Sequence, residues 1–299
     1  MVIDNAKFKR LLAVKRINKS LLAEKLNISS RTIAKIAKGE KIADRIIVKI
    51  ADFLEVDILD LTSSILLDVL RSQMRAKLSG GLYHETQVKL TYNSNHIEGS
   101  ELSEEQTRYI FETKTLGELA HSVRLDDVIE TNNHFRCIDY VIEHATEELS
   151  EDFILRLQGL LKEGTEHSLS YGLGVYKLKP NTVGGLETTS PSEVHSAIKE
   201  LIEWYNGLKR VTFEDIIEFH YRFECIHPFQ DGNGRIGRLI SFKQCLAQGI
   251  VPFYVDDRNK WLYYRGLREW KNERGFLLDT CRFGQDQYKA LINYFDIEI

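Results

Sequence analysis

The sequence predicts a mainly α-helical protein: a head of five short helices, then an all-helical body broken by one small β-hairpin. Three observations carry that prediction. The chain has 299 residues, above the roughly 250–300 at which a single hydrophobic core stops growing, so two domains are expected, 1–62 and 63–299. Its four prolines all lie at or beyond Pro180, which leaves more than half the chain without the strongest helix breaker. Apolar residues recur at helical spacing through most of the length.

Each element has its own signal. In the head the apolar positions are Phe8, Leu11 and Leu12, then Leu22, Ala23 and Leu26, then Ile33 and Ile36, then Ile46, Ile47, Ile50 and Leu54. Asp60-Leu-Thr-Ser-Ser64 supplies caps for a helix over Ile65–Leu78, which Gly80-Gly81 ends. The body then shows helical patterns over 84–95, 103–114, 120–146, 151–162, 191–206, 212–226, 233–248, 259–273 and 283–296. Ser103-Glu-Glu-Gln106 is a capping box, and Ser190-Pro-Ser-Glu193 combines an N-cap with proline at the first helical position. Between them, Val175–Lys179 and Asn181–Val183, then Gly184-Gly185, then Leu186–Thr189, read as two extended runs joined by a tight turn.

Composition narrows the class. Hydrophobic residues at 43% and charged residues at 28% exclude a largely disordered or fibrous chain. No apolar run approaches the 18 or so residues of a membrane helix, and the N-terminus lacks a signal-peptide pattern. Cys137, Cys225, Cys245 and Cys281 are far apart, form no C-x-x-C pair and sit among apolar residues, which suits buried free thiols in a reducing cytoplasm. The net charge of −4 hides an asymmetry: residues 1–62 carry thirteen Lys/Arg against eight Asp/Glu, a net +5 that leaves −9 on the rest. A basic head on an acidic body suggests different partners for each.

Within the head, Leu22 to Gly39 reads as a helix, a turn at Asn27 that tolerates the left-handed conformation, and a second helix starting at Ser29 or Ser30. That second helix turns Arg31, Thr32, Lys35 and Lys38 away from its apolar stripe, so Ser30, Arg31 and Thr32 are placed to reach base edges and the lysines to meet phosphates. Over about residues 6–61 the segment resembles the phage-repressor type of helix-turn-helix. It departs from that pattern at Lys19, where the family often has Gln, and at Ile42-Ala43, where proline is usual. DNA is the partner the resemblance implies, and a symmetric operator would require a homodimer. Without DNA, the same five helices would serve dimerisation or partner binding.

The body's chemistry concentrates in His227-Pro-Phe-Gln-Asp-Gly-Asn-Gly-Arg-Ile-Gly-Arg238. Gly232, Asn233 and Gly234 permit backbone conformations in which N–H groups converge, and the helix that follows adds positive potential, so an anion site is expected. Arg235 and Arg238, at i, i+3, share a helix face and can clamp phosphate oxygens. Asp231 can hold Mg²⁺ between two phosphates, and His227 can take a proton from an incoming hydroxyl.

These twelve residues match every fixed position of H-x-F-x-[D/E]-G-N-G-R-x-x-R, and here the chain resembles the Fic family. The resemblance implies transfer of AMP from ATP to a Ser, Thr or Tyr hydroxyl of a protein, with pyrophosphate released. His227 would be the general base, Asp231 the Mg²⁺ ligand, Gly232 to Arg235 the cradle for α- and β-phosphates, and Arg238 the γ-phosphate contact. A branch that phosphorylates instead has Lys where this chain has Gly234. The hairpin at 175–189 would be the flap that orders the target as an added strand, bringing Asn181, Thr182, Val183 and Gly184 near the nucleotide. Tyr263, Tyr264 and Leu267 resemble the adenine pocket.

A second signature, [S/T]-x-x-x-E-[G/N], is matched by Ser94-Asn-His-Ile-Glu-Gly99 and implies an N-terminal inhibitory helix over about 85–99. Glu98 beside Arg238 would occupy the arginine meant for the γ-phosphate, with Ser94 as brace and Gly99 ending the helix. Three readings stand open: a self-inhibited protein adenylyltransferase acting on an unnamed protein or on itself, a DNA-binding regulator whose body senses nucleotide, and an enzyme that removes AMP with Glu98 positioning a water.

Overall fold

The computed structural model describes residues 2–3, 5–56, 58–117, 122–183 and 186–298. The chain divides into two compact units, Met1–Val69 with Ile297–Ile299, and Leu70–Asp296.

The first unit holds β1 (Val2–Ile3), α1 (Asn5–Val14), α2 (Lys19–Leu26), α3 (Ser30–Ala37), α4 (Asp44–Leu54), α5 (Ile58–Leu61) and β2 (Thr62–Ser63). The two short strands, which no periodicity announces, pair antiparallel as Val2↔Ser63 and Ile3↔Thr62. Phe8, Leu22, Ile36, Ile47, Ile50, Leu54 and Leu61 form one buried core, so the apolar stripes of all five helices converge. Asn27 takes the left-handed conformation at φ 52°. Ser29 is the N-cap of α3, its hydroxyl accepting the Thr32 N–H at 3.2 Å, as the short polar side chain of a cap should.

The helix α6 (Ile65–Ala76) leads into the body, whose elements are α7 (Leu82–Ile97), α8 (Glu104–Thr113), α9 (Leu125–Glu143), α10 (Glu151–Lys162), α11 (Glu166–Tyr171), β3 (Thr182–Val183), β4 (Leu186–Glu187), α12 (Val194–Asn206), α13 (Phe213–Ile226), α14 (Asn233–Gln248), α15 (Lys260–Glu269) and α16 (Gly275–Tyr294). At the centre is α14, buried at every residue from Asn233 to Leu246, the condition of a helix enclosed on all sides. It packs against α7, α9, α10 and α13. Because α7 is also enclosed, its polar residues find internal partners: Thr86 with the Tyr288 hydroxyl at 2.7 Å, Gln87 Nε2 donating to Asp139 at 2.7 Å, and Asn95 Nδ2 donating to Thr131 at 3.1 Å.

Several expectations are corrected. The capping box at Ser103 and Gln106 is present, but Ser190–Glu193 forms a turn and α12 starts only at Val194, because the Ser190 hydroxyl bonds the Glu193 carboxylate instead of a backbone N–H. The run Val175–Lys179 is not a strand. Its backbone turns to the 227–232 loop, with the Lys177 N–H donating to Pro228 O at 2.8 Å. The hairpin shrinks to Thr182↔Glu187 and Val183↔Leu186, and Gly184 lies outside the described residues. Helix α11 was not foreseen, and α16 begins eight residues before the expected 283. Cys137, Cys245 and Cys281 are buried free thiols, whereas Cys225 is exposed, since its position on α13 faces away from the stripe that meets α14. Among the described residues no helix is long and apolar enough to cross a membrane.

Two histidines lie wholly inside the body. His134 meets the Thr91 hydroxyl at 3.0 Å and His220 meets the Tyr263 hydroxyl at 2.7 Å, and burial pushes each imidazole down to about 3. The unfolded chain therefore binds protons below about 6.5 that the folded chain refuses, and stability is lost as pH falls from there toward 3. Glu224, pushed up to about 8 by burial, works in the opposite sense between 8 and the ordinary carboxylate range, and is outweighed by these two imidazoles together with His227, which is lowered to about 4. A melting temperature that drops steadily from pH 6.5 to pH 4 is expected; one that is flat over that interval would contradict the burial of neutral imidazoles.

Candidate active site

The loop between α13 and α14 is held by its own residues. His227 closes α13 in a left-handed conformation at φ 49°, its N–H donating to Phe223 O at 2.9 Å. Phe229 is fully buried and stacks on Tyr176 with centroids 5.7 Å apart. Across the turn, Asn233 Oδ1 accepts the Phe229 N–H and Asn233 Nδ2 donates to Phe229 O, both at 2.8 Å. Gly232 sits at φ 88°, the left-handed region that favours glycine, and a Cβ there would lie tightly, 3.2 Å from the Leu161 side chain and 3.3 Å from that of Lys162.

This geometry leaves a nest at the start of α14. The first backbone N–H groups of a helix have no carbonyl one turn earlier, and here the helical ladder begins with Ile236 N–H to Gly232 O at 3.0 Å. The Asn233, Gly234 and Arg235 amides thus face an anion site. The Asn233 side chain is wholly engaged with Phe229, so its contribution is its backbone.

Both arginines of the motif are buried and paired. Arg235 bonds Glu130 of α9 and approaches Asp231 at 3.5 Å. Arg238 donates to Glu98 Oε1 at 2.7 Å, from Nε to the Ser94 hydroxyl at 3.0 Å, and to Ser94 O at 2.9 Å. Glu98 is the C-cap of α7, and Gly99 leaves the helix at φ 93°. The Glu98 carboxylate lies directly over the nest: a Cβ on Gly234 would come within 2.2 Å of Oε1. Burial alone would raise the Glu98 pKa, but Arg238 and then Arg235 overcome it and hold the carboxylate below its ordinary value.

Asp231 stands at the mouth of the nest with its side chain 52% exposed. Against the upward pull of burial, Arg235 and Lys162 hold it far below the ordinary carboxylate range. Lys162, fully buried, bridges Asp231 and Glu130. Neither Lys162 nor Glu130 was legible in the sequence: a lysine at a helix end and a glutamate in mid-helix read as solvated charges. His227, 19% exposed, has Nδ1 3.8 Å from Glu224 Oε2. Burial first, and Lys177 second, lower its pKa to about 4, so the imidazole is neutral and able to accept a proton at physiological pH.

The remaining expected residues divide. Asn181 Nδ2 donates to Phe229 O at 2.9 Å, tying the flap to the loop, and Thr182 and Val183 follow in β3. Tyr263 is 1% exposed within a hydrophobic cluster, with the Arg238 guanidinium 5.9 Å from its ring; it supports the site from inside and offers no open face. Tyr264 is exposed, its hydroxyl donating to Ile97 O at 3.1 Å beside Glu98. In the head, Ser30, Arg31 and Lys38 of α3 and its C-cap are exposed, and Thr32 and Lys35 half-buried; the Thr32 hydroxyl pairs with Ser29 at 2.9 Å.

Comparison with known proteins finds two matching domains. Residues 148–245 match the Fic/DOC family, and residues 7–65 match the Cro/C1-type HTH DNA-binding domain. Protein adenylyltransferase fic-1 of Caenorhabditis elegans is 27% identical over 195 residues, covering 62% of this chain and 37% of its own length. Protein adenylyltransferase Fic of Nematostella vectensis is 25% identical over 182 residues, 60% of this chain and 42% of its own. The chain thus spans well under half the length of these relatives. A Fic domain containing signaling protein from Bacteroides thetaiotaomicron superposes with TM-score 0.56 at 27% identity, covering 76% of this chain and 90% of its own. Fic-1 from C. elegans superposes with TM-score 0.61 over 97% and 92% of the two chains at 19% identity, a likeness of fold. The loop from His227 to Arg238 therefore lies in a Fic/DOC domain, and the chain carries a Cro/C1-type helix-turn-helix domain ahead of it.

Proposed function

We propose that the body is a self-inhibited protein adenylyltransferase, moving AMP from ATP onto a Ser, Thr or Tyr hydroxyl of a protein, its own chain included. The observation that carries this reading is the nest at the start of α14 with a neutral imidazole on one side, two buried arginines beneath and a carboxylate already docked on Arg238. The adenylyltransferase names of the relatives support it.

In this reaction the target hydroxyl oxygen attacks the α-phosphorus, the bond to the oxygen bridging the β-phosphorus breaks, His227 takes the hydroxyl proton and pyrophosphate leaves. The Gly234 and Arg235 amides and the Arg235 guanidinium meet the α- and β-phosphates, and Arg238 meets the γ-phosphate once Glu98 withdraws. Asp231 offers one ionised, half-exposed carboxylate, which suits Mg²⁺ held by one carboxylate and substrate phosphates. A Mg²⁺ ion held there with the nucleotide would supply neutralisation of phosphate charge. Glu98 acts as the brake: with its carboxylate on Arg238, the γ-phosphate is displaced and the α-phosphate is out of line for attack. The clash a side chain at 234 would make with Glu98 also sets this chain apart from relatives with lysine there.

We also infer that the head binds DNA through α3, with Ser30, Arg31 and Thr32 at base edges and Lys35 and Lys38 at phosphates, and that the protein works in the cytoplasm. The net +5 of residues 1–62 supports the first inference.

Incubation with α- or γ-labelled ATP tests the reaction. Wild type is expected to retain α-label weakly and Glu98→Gly strongly. Equal labelling by both would remove the brake from the account, retained γ-label would mean phosphorylation, and no label in either would favour a nucleotide-sensing regulator. His227→Ala should still bind ATP while transfer falls by roughly 10²–10⁴-fold; loss of binding itself would give His227 another role. For the head, affinity for duplex DNA measured across a salt series should fall steeply as salt rises, and a salt-independent affinity would point to a protein partner instead.

A further inference from the structure

Lys177 is a buried charge near the site that neither the motif nor the brake uses. It lies in the irregular run between α11 and β3, with the residue only 2% exposed. Its ammonium donates to Asn181 Oδ1 at 2.7 Å, Thr188 Oγ1 at 2.6 Å and Ile226 O at 3.2 Å. All three acceptors are neutral, and among the described residues no carboxylate pairs with it. Asn181 and Thr188 stand at the two feet of the flap, and Ile226 immediately precedes His227. The Lys177 backbone N–H holds Pro228 O at 2.8 Å, so one residue grips the flap and the loop at once.

A buried ammonium without a counterion is costly, and burial lowers this one to about 8. The groups around His227 explain what the charge does there. Glu98 from the end of α7 and Asp231 from the loop are anionic and favour imidazolium, while Glu224, from the same helix, is pushed up to about 8 and is mainly neutral at pH 7. Burial is the larger cause of the lowered His227 value, and Lys177, whose ammonium sits on the Ile226 carbonyl next to His227, is the cation that adds to it. ATP would add about three to four negative charges beside the imidazole and pull it further toward protonation, and a protonated imidazole cannot accept the hydroxyl proton. A cation fixed out of reach of solvent is not screened by salt as a surface lysine would be.

We propose that Lys177 is a positioning residue for the transfer reaction: it binds both feet of the flap to the His227 loop, and its ammonium, seated on the carbonyl that precedes His227, opposes the anions that face the imidazole. The role in transfer rests on the adenylyltransferase reading; the charge coupling to His227 does not.

The coupling can be read without catalysis. In the full chain with ¹³C-labelled histidine, the His227 signal is identified by its loss in His227→Gln and titrated by NMR in the parent, Lys177→Met, Lys177→Gln and Lys177→Arg. Both neutral variants are expected to raise the His227 midpoint by about half a unit or more, and Lys177→Arg to leave it within about 0.2 units. Should Lys177→Met fold poorly, Lys177→Gln, which keeps donors for Asn181 and Thr188 but no charge, decides against Lys177→Arg. A midpoint that is the same in all forms, or that moves as far in Lys177→Arg as in the neutral variants, overturns the proposal. In the Glu98→Gly background, the acid limb of α-label transfer should move up by the same interval; a shifted titration with no transfer at all would instead count against the adenylyltransferase reading.

Discussion

Two guanidinium groups at the start of an enclosed helix must be given anions, and much of the body is arranged around that demand. Arg235 and Arg238 are almost fully buried on α14, where an unpaired cation would carry the full cost of desolvation. Glu130 of α9 answers the first and Glu98 at the end of α7 answers the second. Burial that makes an arginine a strong receptor for phosphate also makes an internal carboxylate a strong competitor for it. Self-inhibition on the proposed reading is then a consequence of the same low dielectric that serves binding, with no separate device required.

Rigidity around that pair comes from polar groups spent on backbone. Asn233 closes the loop on Phe229, Ser94 braces Arg238 through both hydroxyl and carbonyl, and Lys177 gathers the feet of the flap. Each of these side chains is buried and satisfied, and each fixes a neighbour that does the contacting. The result is a pre-formed nest whose amides need no rearrangement to meet an anion. The end of α7 is held as well, by Tyr264 on Ile97 O and Asn95 on Thr131, so withdrawal of Glu98 has to overcome more than one ion pair.

What could be read along the chain was local. The glycines of the loop, the i, i+3 arginines, Ser94 with Glu98 and the Ser103 capping box are signals contained within a dozen residues, and helical periodicity located most of the helices. Elsewhere local signals misled. Val175–Lys179 has the alternation of a strand, but Lys177 turns inward to three neutral acceptors and the run is spent on the loop instead. Ser190-Pro191 has the form of a helix start, but the Ser190 hydroxyl is taken by Glu193. Tyr263 and Tyr264 are adjacent in sequence and opposite in environment, one enclosed beneath Arg238 and the other on the surface.

The sequence by itself determined the helical class, the basic head and the glycine-rich loop with its two arginines, because turn conformation, helix polarity and charge spacing are properties of short segments; the base and brake of the proposed reading came from the family resemblance of two short motifs. Only the tertiary structure decided which charges meet. Glu98 and Arg238 are 140 residues apart and Lys162 and Asp231 are 69 apart. Whether a lysine or glutamate is a solvated surface charge or half of a buried pair depends on what packs against it, and that is set by the closure of α7, α9 and α10 around α14. Lys177 marks the limit most clearly: in the sequence it is one polar residue of an apparent edge strand, and in the fold it is an enclosed cation beside the histidine.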